Sequence, residues 1–405
     1  MGDRPSRKDI AGGGFRAGLP AAVWTLGFVS LLMDVSSELI HSLLPVFLVS
    51  GLGASVAAVG LIEGAAEATA LIVKVFSGGL SDYWGKRKPL TVAGYGLGAL
   101  SKPLFALAPG AGMVLTARLI DRTGKGIRGA PRDALLADVT PPAQRGAAFG
   151  LRQALDSIGA FLGPLLAMGL MLWWANDFRA VFWAAAIPAF LAVGLLVFGL
   201  REPDHGDGRG RVNPLRRKHL RRLSGAYWRV VAVGGLVALA RFSEAFLILR
   251  AHQAGLPLAL TPLVLIGMNL VYAASAYPFG RLSDSVDHRH LLALSLLSLI
   301  GADLVLAASG NWLAVGAGIG LWGLHMGISQ GLLSRMVADT AGVELRGTAF
   351  GLFNLVAGLM LLASSSIAGL LWDAFGSTWT FAAGALVASL ALAAVTLPRT
   401  DRRPS

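Results

Sequence analysis

Within the stretch Gly112 to Ala137 the chain carries Arg118, Asp121, Arg122, Lys125, Arg128, Arg132 and Asp133, although its flanks are apolar enough to enter a bilayer. A charge at a bilayer centre costs about 2.5 to 3.5 kcal/mol on insertion scales, so such residues normally face a bundle interior or a watery cavity. Arg118, Arg122, Lys125 and Arg132 recur in helical steps, which puts them on one stripe. Asp34, Glu38 and His41 form a second stripe, and Glu63, Glu67 and Lys74 a third, while Arg152 and Asp156 sit one helical turn apart.

Carboxylates facing cations can hold each other's charge with far less penalty than either alone. The chemistry that suits such stripes is proton exchange. Desolvation favours the protonated form of a carboxylate and a nearby cation disfavours it, so an arriving solute can switch protonation. Asp34, Glu38, Glu63 and Glu67 are the candidate proton-coupling residues. Candidate substrate contacts are His41, Arg118, Asp121, Arg122, Lys125, Arg152 and Asp156, joined by Glu244 and His325 from further along the chain. Arg122 and Lys125 could hold an anion. Structural ion pairing is the competing explanation for any one of these residues.

The elements that must carry these stripes are membrane spans. Of 405 residues, 55% are hydrophobic, 14% are charged and 52 are glycine, a composition suited to close helix packing in lipid. The fold class expected is an all-α membrane protein. Apolar stretches of about 20 residues, enough to cross the hydrocarbon, run from Ala22 to Val49, Ala54 to Gly78, Pro89 to Ala108, Gly112 to Ala137, Gly146 to Trp173 and Ala180 to Gly199. A second six run from Trp228 to Ala251, Leu260 to Leu282, His290 to Ser309, Trp312 to Ala338, Gly347 to Trp372 and Trp379 to Leu397. This second set has fewer ionisable groups: Arg241 and Glu244 on the seventh span, Asp303 on the ninth and His325 on the tenth, with Asn269, Tyr272 and Gln330 as polar neighbours.

Lys and Arg collect at Arg4 to Arg16, at Lys86 to Lys88, in the long break from Arg201 to Arg229, and at Arg399 to Arg403. By the positive-inside rule all of these are cytoplasmic, which puts both termini inside. The net charge of +12 then reads as a topology signal with attraction to anionic lipid, rather than a nucleic-acid footprint. Residues 1–200 are expected to form an N-terminal six-helix bundle, 201–228 a basic cytoplasmic linker and 229–405 a C-terminal six-helix bundle.

The halves repeat. Leu80-Ser81-Asp82 recurs as Leu282-Ser283-Asp284, and Arg145-Gly146-Ala147-Ala148-Phe149-Gly150-Leu151 as Arg346-Gly347-Thr348-Ala349-Phe350-Gly351-Leu352. Six spans per half make these parallel repeats about the membrane normal, enclosing one cavity.

Gly78-Gly79-Leu80-Ser81-Asp82-Tyr83-Trp84-Gly85-Lys86-Arg87-Lys88 resembles the loop signature of the major facilitator superfamily, and Gly280-Arg281-Leu282-Ser283-Asp284 is its weaker echo. The resemblance covers the chain apart from the termini and central loop. It implies the twelve-span fold of that family, alternating access, and a gating role for Gly79, Asp82, Gly85, Lys86, Arg87 and Asp284, which would latch the cytoplasmic side in the outward-facing state. Arg122 to Ala130 and Gly159 to Pro164 are similar to patterns of the family's proton-coupled efflux permeases, with Lys125 where a glutamine is usual. Export is thereby mildly favoured.

The absence of cysteine excludes disulfides, thiolate metal sites and cysteine nucleophiles. No phosphate loop or catalytic triad pattern is present, so neither an enzyme nor an ATP-driven pump is expected. The expectation is a monomeric secondary transporter of a bacterial inner membrane that exchanges protons for a small polar or anionic solute, with membrane lipids as its surroundings. It needs no cofactor, metal or nucleic acid. A metal-chelate or lipid-handling permease, or a transporter-like receptor without turnover, remains the alternative.

Overall fold

The structure, a computed structural model, describes residues 18–84, 86–200, 223–342 and 345–396, and only the backbone of 78, 79 and 82–84. Twelve long helices account for most of these residues, and no strand occurs among them. In chain order they are α1 (Ala21–Gly51), α2 (Val56–Trp84), α3 (Arg87–Leu107), α4 (Ala111–Asp138), α5 (Arg145–Trp173), α6 (Phe178–Gly199), α7 (Gly225–Gln253), α8 (Leu263–Leu282), α9 (His288–Ala308), α10 (Trp312–Thr340), α11 (Arg346–Phe375) and α12 (Ser377–Thr396). Eleven are long and apolar enough to cross a bilayer. The exception is α4, whose 28 residues include the charged stripe. The chain is thus an integral multi-pass membrane protein with the all-α, twelve-helix fold expected. The last residue of the twelfth expected span, Leu397, lies outside the described residues, as do most of the expected linker and the extreme termini.

Two helices are interrupted. In α1, regular helix stops at His41, resumes at Leu44–Val46 with Pro45 in its first turn, and ends in a widened π turn over Phe47–Gly51. Proline cannot donate to the preceding turn, which accounts for the break. In α7 the helix Gly225–Ala240 ends at Arg241, which is extended, and restarts at Ala245. Two of the freed amides find side-chain acceptors: Ser243 N donates to Ser365 Oγ of α11 at 3.1 Å, and Ala245 N to Ser243 Oγ at 3.3 Å. Irregular backbone at membrane depth is tolerated where it is buried in protein or lines a cavity.

Helices α1 to α6 pack chiefly on one another, as do α7 to α12, and the two halves meet along α2 and α11. That contact is close because glycine makes it so. A Cβ on Gly60 would stand 2.1 Å from the Ser365 carbonyl oxygen, and one on Gly369 would stand 2.7 Å from the Ala57 backbone. Small residues at helix crossings are the usual way to bring backbones together in lipid.

At the end distal to the termini one hydrophobic core runs through both halves, joining Leu43, Leu44 and Phe47 of α1 to Phe246, Leu247 and Leu249 of α7. At the other end the cores separate. Leu26, Tyr95 and Leu196 belong to a cluster confined to the first half, and Tyr227, Val337 and Ala349 to one confined to the second. The halves are therefore sealed together at the distal end and joined near the termini mainly by α2 and α11.

Candidate functional site

The charged stripes converge as the sequence suggests, but they sort into two layers. Deep between the first-half helices lie sealed ion pairs. Arg118 Nη2 donates to Glu63 Oε2 at 2.6 Å, with both side chains at most 2% exposed. Lys102 Nζ donates to Asp121 Oδ1 at 2.8 Å and to Ser37 Oγ at 3.1 Å. Arg128 is buried over the Tyr95 ring, 4.7 Å from its centroid. In the two ion pairs, charge held directly against charge offsets the penalty of burial.

The second layer borders a cavity of about 290 Å³ between the halves. Glu38, His41, Glu67, Arg122 and Lys125 line it from the first half, with one edge of Glu63. Arg241, Phe242, Ser243 and Glu244, the broken turn of α7, line it from the second, together with Asn269 and Gln330. His41 joins the two layers, its Nδ1 lying 3.4 Å from Glu38 Oε2 and its Nε2 3.7 Å from Glu63 Oε2. Arg122 Nη2 is 3.3 Å from Glu67 Oε1. Tyr272 Oη donates to Gln330 Oε1 at 3.1 Å. Lys125, Arg241 and Glu244 make no side-chain hydrogen bond or ion pair among the described residues. A groove of about 340 Å³ beside Arg229 and Arg289 at the terminal end of the second half does not reach these stripes.

Other expected site residues lie elsewhere. Arg118 and Asp121 are buried in their pairs and do not line the cavity. Arg152 Nη1 donates to Asp156 Oδ2 at 2.5 Å and its Nε approaches Asp133, so this group stands off the cavity on the α5 side. Asp34 is half-buried on the α1 face that meets α5, where a Cβ on Gly159 would stand 3.0 Å from its own Cβ. Its carboxyl makes no hydrogen bond or ion pair among the described residues. His325 is wholly buried, with Nδ1 2.8 Å from Ser295 Oγ. Asp303, also wholly buried, has neither oxygen hydrogen-bonded among the described residues.

Of the expected gating residues, Gly85 lies outside the described residues, and only the backbone of Gly79 and Asp82 is described. Lys86 is exposed just before α3, and Arg87 pairs with Asp138 on α4. Asp284 pairs with Arg335 on α10 at 2.5 Å, and Arg335 also reaches Asp339 at 3.7 Å. Both of these pairs lie within a single half.

Sequence reasoning missed Lys102, although a lysine inside an apolar stretch is the same signal that marked α4. It also missed the break of α7 at the cavity, which no proline or glycine announces. Among the described residues no three His, Asp or Glu side chains converge as a metal cage would require.

The sequence model described as Major Facilitator Superfamily matches residues 26–268 and 245–405. An uncharacterised MFS-type transporter of Methanocaldococcus jannaschii is 31% identical over 373 residues, covering 90% of this chain and 92% of that protein. A multidrug resistance protein of Yersinia enterocolitica, MdtH, is 29% identical over 165 residues, covering 41% of this chain and 40% of its own. Among solved structures, a bacterial homologue of the human lysosomal transporter Spinster, in an inward-facing and occupied conformation, superposes with a TM-score of 0.77 at 15% identity, covering 97% of each chain.

Proposed function

From the premise that this chain belongs to the Major Facilitator Superfamily, a family of transporters and not enzymes, we propose that it is a secondary active transporter driven by proton exchange. It moves a small polar or anionic solute by alternating access, with export as its direction. The observation that carries this reading is the cavity between the halves, lined by titratable groups from both.

Glu67 and Glu38 are the exchanging carboxylates at the cavity wall, and Asp34, with no partner holding it among the described residues, takes or releases a proton as α1 and α5 move. Glu63, held by Arg118 and His41, keeps the network in register. The joined core at the distal end and the separate cores at the terminal end describe the conformation open toward the termini. With the termini in the cytoplasm of a bacterial cell, that conformation faces inward. In the opposite state the end of α2 and the start of α3, from Gly79 to Lys88, and their echo at Asp284 hold the terminal end closed. Residues 1–200 and 229–405 rock as two bundles about the α2–α11 contact, and export agrees with the partial likeness to a multidrug resistance protein. A polar cavity of this lining suits a water-soluble solute better than a lipid chain.

The test is flux in proteoliposomes. Solutes that raise the melting midpoint of the purified protein are loaded, and a pH gradient is imposed across the vesicle wall. Gradient-dependent movement that collapses with a protonophore supports the reading, and equal movement with and without the gradient overturns it.

A further inference from the structure

The cavity is more specific than a generally polar void, because most of its charges already have partners. Glu63 is engaged by Arg118 and His41, Glu38 by His41 and Glu67 by Arg122. Three charged side chains are left without a bond among the described residues: Lys125 from α4 in the first half, and Arg241 and Glu244 from the broken turn of α7 in the second. Asn269 of α8 is the unengaged neutral group beside them.

We propose that this cavity binds a small zwitterion, its oxyanion shared between Lys125 and Arg241 and its ammonium received by Glu244. A simple anion would satisfy the two cations but face the Glu244 carboxylate. A simple cation would satisfy Glu244 and face two positive groups. Only a solute carrying both charges leaves none of the three uncompensated, and uncompensated charge away from water is what such a site discriminates against. The cavity volume of about 290 Å³ lies at the lower end of small-molecule sites, which limits the solute to a compact molecule. The break in α7 gives the second half its share of the site. It turns Arg241 out of the helix, so Arg241 and Glu244 are three residues apart without closing on each other.

The arrangement also couples recognition to movement. Lys125 and Arg241 stand on opposite halves, so an oxyanion held by both links the bundles. A ligand shifts a conformational equilibrium by as much as its affinities for the two states differ, and this contact differs between them. This recognition presupposes the transport reading of the same cavity, and the two can fail separately.

The experiment uses the purified full chain in detergent. The probes are the standard α-amino acids, taurine and 2-aminoethyl phosphate. Each is paired with its analogue lacking the amine and its analogue lacking the acid. At least one zwitterion is expected to raise the melting midpoint by several degrees while neither of its analogues does. For that zwitterion, Lys125→Gln and Arg241→Gln each weaken apparent Kd about tenfold or more. Glu244→Gln abolishes the preference over the amine-free analogue. Lys125→Arg and Arg241→Lys restore binding in part, which separates recognition from damage to the fold. Three results overturn the proposal: no zwitterion stabilises the protein, an amine-free anion binds as tightly, or affinity is unchanged in both glutamine variants. Zwitterion binding without flux would leave this recognition standing and remove the transport reading. Proton-driven flux of a solute with one charge sign would do the reverse.

Discussion

Arg118 and Glu63 form a 2.6 Å ion pair in which neither side chain is more than 2% exposed. It lies one helical turn from Arg122, whose contact with Glu67 is longer, at 3.3 Å, and borders the cavity. The same stripe on α4 thus supplies a sealed structural pair and an accessible one, and the two respond differently to mutation.

Glu63→Gln leaves the Arg118 guanidinium buried without its counter-charge, and a broken pair of this kind costs about 3 to 5 kcal/mol. Thermal unfolding in detergent is expected to show a large fall in midpoint for Glu63→Gln and for Arg118→Met singly. The double replacement recovers much of the loss, because nothing charged is then stranded. Additive losses would show that the pair does not act as a unit.

Asp373 of α11 accepts from Val56 N at 3.0 Å and Ala57 N at 2.8 Å, so a carboxylate of the second half caps the first turn of α2 in the first. Asp373→Ala removes that cap, worth about 1 kcal/mol, and loosens the distal seal. The chain has no native cysteine, so Val46→Cys, placed in that seal, reports its opening without background. Maleimide labelling there is expected to rise about fivefold when Asp373→Ala is added, the shift that about 1 kcal/mol produces. An unchanged labelling rate would mean that the cap does not hold the halves together.

Among the described residues Asp303 has no hydrogen-bond partner on either oxygen, and a Cβ on Gly384 would stand 2.6 Å from its Oδ2 and 3.0 Å from Phe242. Leucine, which keeps the branched outline with methyl groups in place of the two oxygens, removes an unsatisfied polar group from an apolar, aromatic setting. Asp303→Leu is expected to leave stability unchanged or raise it by about 1 to 3 kcal/mol. A lowered melting midpoint contradicts that account.

Much of this was legible in the sequence because membrane physics is severe. Apolar length set the spans, so the expected stretch from Ala180 to Gly199 and the observed Phe178–Gly199 differ little. The cost of charge in lipid marked α4, among the described residues the one long helix too polar to pass as a span. Which charges would be sealed and which would face the cavity was not legible, because Arg118 and Arg122 are alike in sequence and differ only in what other helices bring to them. The close approach of α2 to α11 rests on Gly60 and Gly369, each visible as a small residue, but only the packed bundle shows that they serve the same interface. The α7 break left no local mark, since Arg241-Phe242-Ser243 holds no helix breaker. What accommodates it is tertiary, the Ser365 hydroxyl accepting from the Ser243 amide.

The central claim is that carboxylates of the first half carry the protons that drive the solute. The most direct measurement compares gradient-driven accumulation with solute counterflow in proteoliposomes for wild type and for Asp34→Asn with Glu67→Gln. Accumulation under a pH gradient is expected to disappear in the double variant while counterflow, which needs no net proton movement, persists. Accumulation undiminished in the double variant would contradict the account.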